Sequence, residues 1–212
     1  MDAAQDHLQE VLRMLASGLR LPFTEEPHGT EEPHGREELR RIMRACRWQR
    51  LPPEHVLYRP GQTALEVYFV HQGLIRVFNM TESGDKEFNK SFVTEGQFVG
   101  ALVSPLRAQA SPYYIQTLEP CEALSISRAS LDELYQSSIL WANIGRLYME
   151  HLAITKERRE AQLLTGTAEQ RYLRFREEYP QLVGRVPLYH VASYLGVTDV
   201  ALSRIRRRLN LS

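Results

Sequence analysis

Residues 187–209 read PLYHVASYLGVTDVALSRIRRRL, and this stretch decides the architecture of the chain. It has the form of two short helices joined by a tight turn. Pro187 suits the first position of a helix, where a missing N–H is no loss. Val191 and Leu195 lie four apart on one face. Gly196 follows, able to take the positive φ that ends a helix. Thr198 is a good N-cap for a second helix. Leu202, Ile205 and Leu209 then recur at i, i+3 and i+7, an inward stripe. Ala192 is small where the two helices would cross. The pattern is that of a helix-turn-helix, whose second helix enters the DNA major groove.

The outward face of the second helix follows from a rotation of about 100° per residue. Val200, Ser203, Arg204 and Arg207 stand opposite the apolar stripe, with Arg206 and Arg208 flanking them. With Thr198 and Asp199 at the helix start, these are the expected DNA-binding residues. Arginine suits both guanine edges and phosphates, because its planar fork donates two parallel bonds. An ordinary C-terminal helix with cations at its negative end explains the arginines. It does not explain the Val191–Val197 run before them.

The charge distribution agrees. The 212 residues carry 26 Lys+Arg and 26 Asp+Glu. From Thr165 onward there are eight arginines and four acids, a net +4, which leaves −4 for the rest. A basic nucleic-acid module attached to an acidic body fits this asymmetry. Two cysteines, Cys46 and Cys121, are too few for a four-thiolate cluster and form no CxxC pair. No apolar run approaches the roughly 20 residues that span a bilayer. The acidic start MDAAQDHLQE lacks a signal-peptide core, so a cytoplasmic protein without a membrane partner is expected.

In chain order, residues 1–50 are expected to form N-terminal helices, over 2–20 and from Arg36 to Cys46, around an acidic linker at 22–35. In that linker TEEPHG occurs twice in succession. Its His28 and His34 have no fixed geometry to hold a metal. From Leu51 the pattern changes to period two. VYFV (67–70) and LIRVF (74–78) alternate, Glu82–Asp85 turns, and EFNKSFV (87–93) returns. A β-roll over 51–136 follows, with an interior suited to a ligand. Residues 137–164 read as one long helix whose Leu140, Ile144, Leu147, His151 and Ile154 alternate four and three apart, a seam for a parallel dimer. Packing of that helix on its own β-roll is the other reading, and the two are compatible. Thr167 and Gln170 form a capping box that opens a small C-terminal domain over 165–212. The fold class is α+β.

This order, with V-Y-F-V-x-x-G in the roll and A-S-Y-L-G-V-T-x-x-x-L-S-R-I-R-R near the end, resembles the Crp/Fnr family of bacterial transcription regulators over nearly the whole chain after residue 36. The resemblance implies a cyclic-nucleotide-binding-like β-roll, a dimerisation helix and a winged-helix-type helix-turn-helix. It also implies a homodimer on a near-palindromic operator that recruits or blocks RNA polymerase. No wing strands are expected after the reading helix. Arg204 keeps the family's base-reading position. Val200 stands where members often carry Glu, and would meet a thymine methyl.

The effector pocket departs from the cAMP-binding pattern of F-G-E-[LM] followed by R-[ST]-A. Here Phe98, Gly100, Ala101 and Leu102 form the first part, then Ser111, Tyr113 and Tyr114. Ser111 takes the place of the phosphate-binding arginine, and Gly100 or Ala101 that of the ribose-binding glutamate. A buried phosphate without a cation loses its charge-assisted bond. The effector is therefore unknown and cAMP is not expected. No cofactor and no metal site are expected. The two tyrosines either fill the pocket, giving a ligand-independent regulator, or stack on an aromatic ligand. A cupin-type enzyme would need clustered ligands, and His55 and His71 are the only roll histidines. A nucleotide-sensing module whose last helices bind protein is the remaining alternative, and the cationic outer face argues against it.

Overall fold

The computed structural model describes residues 41–63, 65–100 and 111–211. The helix expected over 2–20, the TEEPHG repeat, and Ala101 and Leu102 of the expected pocket lie outside the described residues. Residues 41–45 are helical. The strands are β1 Cys46–Leu51, β2 Val56–Tyr58, β3 Glu66–Gln72, β4 Ile75–Met80, β5 Glu87–Val93, β6 Phe98–Val99, β7 Tyr114–Thr117 and β8 Cys121–Ser127. They form two four-stranded sheets, in the orders β1-β8-β3-β6 and β2-β7-β4-β5. Strands distant in sequence are neighbours, as a roll requires.

The hairpin strands form where period two and turn residues place them, but their faces are not half exposed. Val67, Tyr68, Phe69 and Val70 are all buried, and so are Ile75, Arg76, Val77 and Phe78. Both faces of β3 and β4 are covered. Arg76 meets this burial by donating to Gln116 Oε1 from Nε (2.9 Å) and Nη2 (2.6 Å), while Gln116 Nε2 donates to Glu54 Oε2 at 2.9 Å. Gly73 turns the chain at φ 115°, where a Cβ would fall 2.8 Å from Cys121 Cα. Only glycine fits there.

One boundary is corrected. The helix expected to reach Cys46 stops at 45, and β1 begins at Cys46 rather than after Leu51. CRWQRL alternates only from Cys46 to Gln49, too short a run to announce a strand. Its backbone pairs antiparallel with β8, Cys46 opposite Ile126 and Leu51 opposite Cys121. Burial raises the Cys46 thiol to about 11, so it stays protonated at neutral pH.

Helices follow: α1 Arg128–Ser137, α2 Ile139–Thr165, α3 Ala168–Glu178, a 3-10 turn Pro180–Leu182, α4 Leu188–Leu195 and α5 Asp199–Arg208. Ser127 caps α1 by accepting from the Ser130 N–H, and the expected Thr167–Gln170 capping box opens α3. No strand lies among described residues 166–211, so the helix-turn-helix has no wing there. No helix of the described residues is long and apolar enough to cross a membrane.

Packing divides the chain into two units. The first holds the described residues up to Arg76 together with Phe92–His151, and the second holds Val77–Ser91 and the described residues from Leu152 onward. These limits differ from the boundaries expected at 137 and 165, because α2 is shared and the β4–β5 hairpin groups with the C-terminal helices. In the first unit Val67, Ile126, Leu134 and Trp141 form a cluster, with Phe98, Tyr135 and Ile144 against it. In the second, Tyr172, Phe175, Leu182, Val186, Val191, Leu195, Leu202 and Ile205 are buried.

Candidate nucleic-acid interface

The helix-turn-helix is built from local chemistry. Helix α4 opens at Leu188, so Pro187 (φ −54°, ψ 138°) precedes the first helical residue instead of being it. Its far end is closed by Gly196 at φ 69°. The Gly196 N–H donates to Ser193 O at 3.2 Å and the Val197 N–H to Ala192 O at 3.0 Å. That pair of bonds is the Schellman motif, and it needs a left-handed residue at Gly196. Two residues later Thr198 Oγ1 accepts from the Ala201 N–H at 3.2 Å and starts α5.

The turn sets the register of α5. Leu202 and Ile205 face inward at 1% and 7% exposure, against an α4 whose Ala192 is 0% exposed. Arg171 of α3 donates to Leu195 O at 2.9 Å and to Gly166 O at 2.7 Å, holding the end of α4. With one face of α5 fixed, the other is presented. Thr198, Asp199, Val200, Ser203, Arg204 and Arg207 are all exposed.

The arginines do not act alike. Arg206 is half-buried and donates from Nε to Leu211 O at 3.1 Å, closing the C-terminal end of its own helix. Arg208 pairs with Glu169 of α3. Arg204 and Arg207 have no hydrogen bond or ion pair among the described residues. The expected ridge of four therefore resolves into two outward cations and two that also serve the domain. The Glu169 pairing was not readable from sequence, because 39 residues separate the partners.

The expected effector pocket is only partly in view. Ser111 is 1% exposed, and its Oγ donates to Tyr113 O at 2.9 Å, so its side chain is turned onto its own loop. Phe98 packs edge-on against Phe69 and Tyr148, and Tyr148 Oη donates to Phe98 O at 2.8 Å. Gly100 lies against β3, where a Cβ would stand 3.2 Å from Glu66 O. Tyr113 and Tyr114 are half-buried. Among the described residues no group of three His, Cys, Asp or Glu side chains could hold a metal.

Helix α2 has two faces. Trp141 is buried at 3% exposure, and Ile144 leans on the same cluster of its own unit. Leu140 and Ile154 are 42% and 50% exposed, with Leu147 and His151 intermediate. Of the expected seam, Ile144 is thus partly occupied within its own unit.

Residues 48–138 match the cyclic nucleotide-binding domain family. The CRP-like protein Clp of Xanthomonas campestris is 28% identical over 91 residues, 43% of this chain and 39% of that protein. The match thus spans about two fifths of the curated relatives' length. The solved structure of CLP, a c-di-GMP responsive global regulator from Xanthomonas campestris, superposes with a TM-score of 0.67 at 19% identity, covering 82% of this chain and 91% of that one. FixK2 from Bradyrhizobium japonicum gives 0.67 at 18%, over 78% and 84%. A transcriptional regulator from Eubacterium rectale assigned to the crp/fnr family gives 0.64 at 13%, over 82% and 83%. Residues 48–138 are thus similar to a cyclic nucleotide-binding domain, and the chain shares the overall fold of these solved regulators.

Within this fold the sequence placed the two helices and the turn between them but missed what surrounds them. Arg159 of α2 carries no signal in the sequence, yet its guanidinium lies 3.6 Å from the centre of the Tyr194 ring. Asn89 and His190, both buried, also went unremarked. Their only sequence signal was a polar residue inside a strand and another inside an apolar helix. The packing of α4 on α5 makes a direct prediction. Ala192→Leu should destabilise the protein by about 1–3 kcal/mol through overpacking, whereas Val200→Leu on the exposed face should stay within about 0.5 kcal/mol. Urea unfolding of the two variants checks this.

Proposed function

We propose that the chain is a homodimeric DNA-binding transcription regulator and not an enzyme. The observation that carries this reading is the exposed face of α5, where Val200, Ser203, Arg204 and Arg207 stand clear of the domain while Leu202 and Ile205 are buried. A cationic helix face of this kind fits the major groove. Arg204 reads a base edge, Val200 meets a thymine methyl, and Arg207 with the Thr198 end of α5 meets phosphates. The relatives support the reading: one is a CRP-like protein and another a global regulator of virulence gene expression. Bound at a near-palindromic operator, the dimer would recruit or block RNA polymerase.

The dimer is proposed to form along the exposed face of α2, through Leu140, Leu147 and Ile154. The effector is proposed not to be cAMP, because Ser111 replaces the phosphate-binding arginine and its hydroxyl is engaged within its own loop. The solved CLP is described as c-di-GMP responsive, which makes that dinucleotide a second ligand to titrate.

Fluorescence anisotropy with a selected operator tests the assignment of roles. Arg204→Ala should cost about 1–3 kcal/mol on that operator and less on random DNA. The wild-type affinity should fall steeply with salt as counterions are released, and saturating cAMP should leave it unchanged. Equal losses on specific and random DNA would contradict the reading role of Arg204. Leu147→Glu should give monomers in sedimentation and lose operator affinity; a fully dimeric Leu147→Glu protein would place the interface elsewhere.

A further inference from the structure

One acid of the second unit is set against the end of α5. Glu169 lies in the first turn of α3, two residues after the Thr167 N-cap, where the Thr167–Gln170 capping box fixes the backbone. Its Oε2 accepts from Nη2 of Arg208, the last helical residue of α5. Neither side chain has another partner among the described residues. The pair is open to water, with 66% of the Arg208 side chain and 34% of the Glu169 side chain exposed.

Folding gives little reason for this pair. Exposed ion pairs add little to stability, because water screens them and two long side chains must be ordered. Each charge also suits its own helix end without the other, an acid at the start of α3 and a cation at the close of α5. The C-terminal helices have their own apolar core around Leu182, Val191, Leu195, Leu202 and Ile205. Position separates Arg208 from the other engaged arginine of α5. Arg208 follows Arg204 by four residues, one turn on and about 40° round, so it flanks the outward face. Arg206 stands about 200° from Arg204 and is turned to Leu211 O. A freed Arg208 would meet a duplex beside Arg204, whereas Arg206 would not. Carboxylate and phosphate are interchangeable acceptors for a guanidinium, each able to take two parallel N–H bonds.

We propose that Glu169 is a positioning residue of the DNA surface, one that occupies Arg208 in place of a backbone phosphate. The assignment rests on the DNA-binding reading above. With the pair closed, α5 offers Arg204 and Arg207 to the duplex and one phosphate goes without its cation. A phosphate takes Arg208 only by displacing the carboxylate, and it then stands beside an unpaired anion. Glu169 therefore limits affinity for DNA of any sequence, since phosphate contacts carry no base information. It does so without touching the residues that read bases.

Anisotropy of the full-length protein on a duplex of random sequence, followed as a function of salt, tests this. Glu169→Gln keeps the shape of the side chain and removes its charge. It should bind about five- to tenfold more tightly at about 0.1 M salt, with the slope of log affinity against log salt steeper by about 0.9, the release of one further counterion. Loss of a merely structural pair would leave that slope where it was. In an Arg208→Ala background the same substitution should leave the slope unchanged. Equal steepening in that background would trace the effect to the acid's own charge and overturn the assignment. Unchanged or weaker binding by Glu169→Gln alone, in protein that unfolds in urea as the wild type does, would overturn it too. Wild-type protein that binds no duplex at any salt would overturn the DNA-binding reading and this assignment together, whereas the variant results bear on Glu169 alone.

Discussion

The seating of α5 on α4 governs the remainder of the reading. Ala192 offers no side chain beyond Cβ, so Leu202 and Ile205 can approach closely and be buried. The Schellman turn at Gly196 and the Thr198 cap fix the direction and register of the second helix. Rotating that helix by one residue, about 100°, would bury an arginine and expose an apolar side chain. The packing that stabilises the domain is therefore also what presents Arg204 and Arg207.

This part was legible in the sequence because it is written in local rules. Gly196, Thr198 and the i, i+3, i+7 stripe each act within one or two turns, and the capping box at Thr167–Gln170 does the same. The hairpin strands were legible for the same reason. What was not legible depends on partners far along the chain. Strand β1 is made by pairing with β8, some 75 residues on, and its own side chains alternate over too few residues to announce it. The alternation in β3 and β4 does not tell that both faces are covered, yet Tyr68 and Arg76 are buried alike.

The arginines show the same limit. A sequence count treats Arg204, Arg206, Arg207 and Arg208 as equal cations. The structure assigns Arg206 to the Leu211 carbonyl and Arg208 to Glu169, so charge alone overstates the surface offered to DNA. Arg171 and Arg159 are likewise engaged with backbone carbonyls, at Leu195, Gly166, Tyr194 and Asn89. In this domain arginine binds the protein as much as it equips it to bind something else. The fold supplies the positions, and function is argued from the side chains placed on them.

The central claim is that the outward face of α5 reads sequence. Selection of binding sites from a fully random DNA pool by the purified full-length protein tests it most directly. The account predicts enrichment of a two-fold symmetric sequence whose half-sites lie about one helical turn apart, 10–10.5 base pairs centre to centre. A pool that stays random through repeated rounds would contradict it.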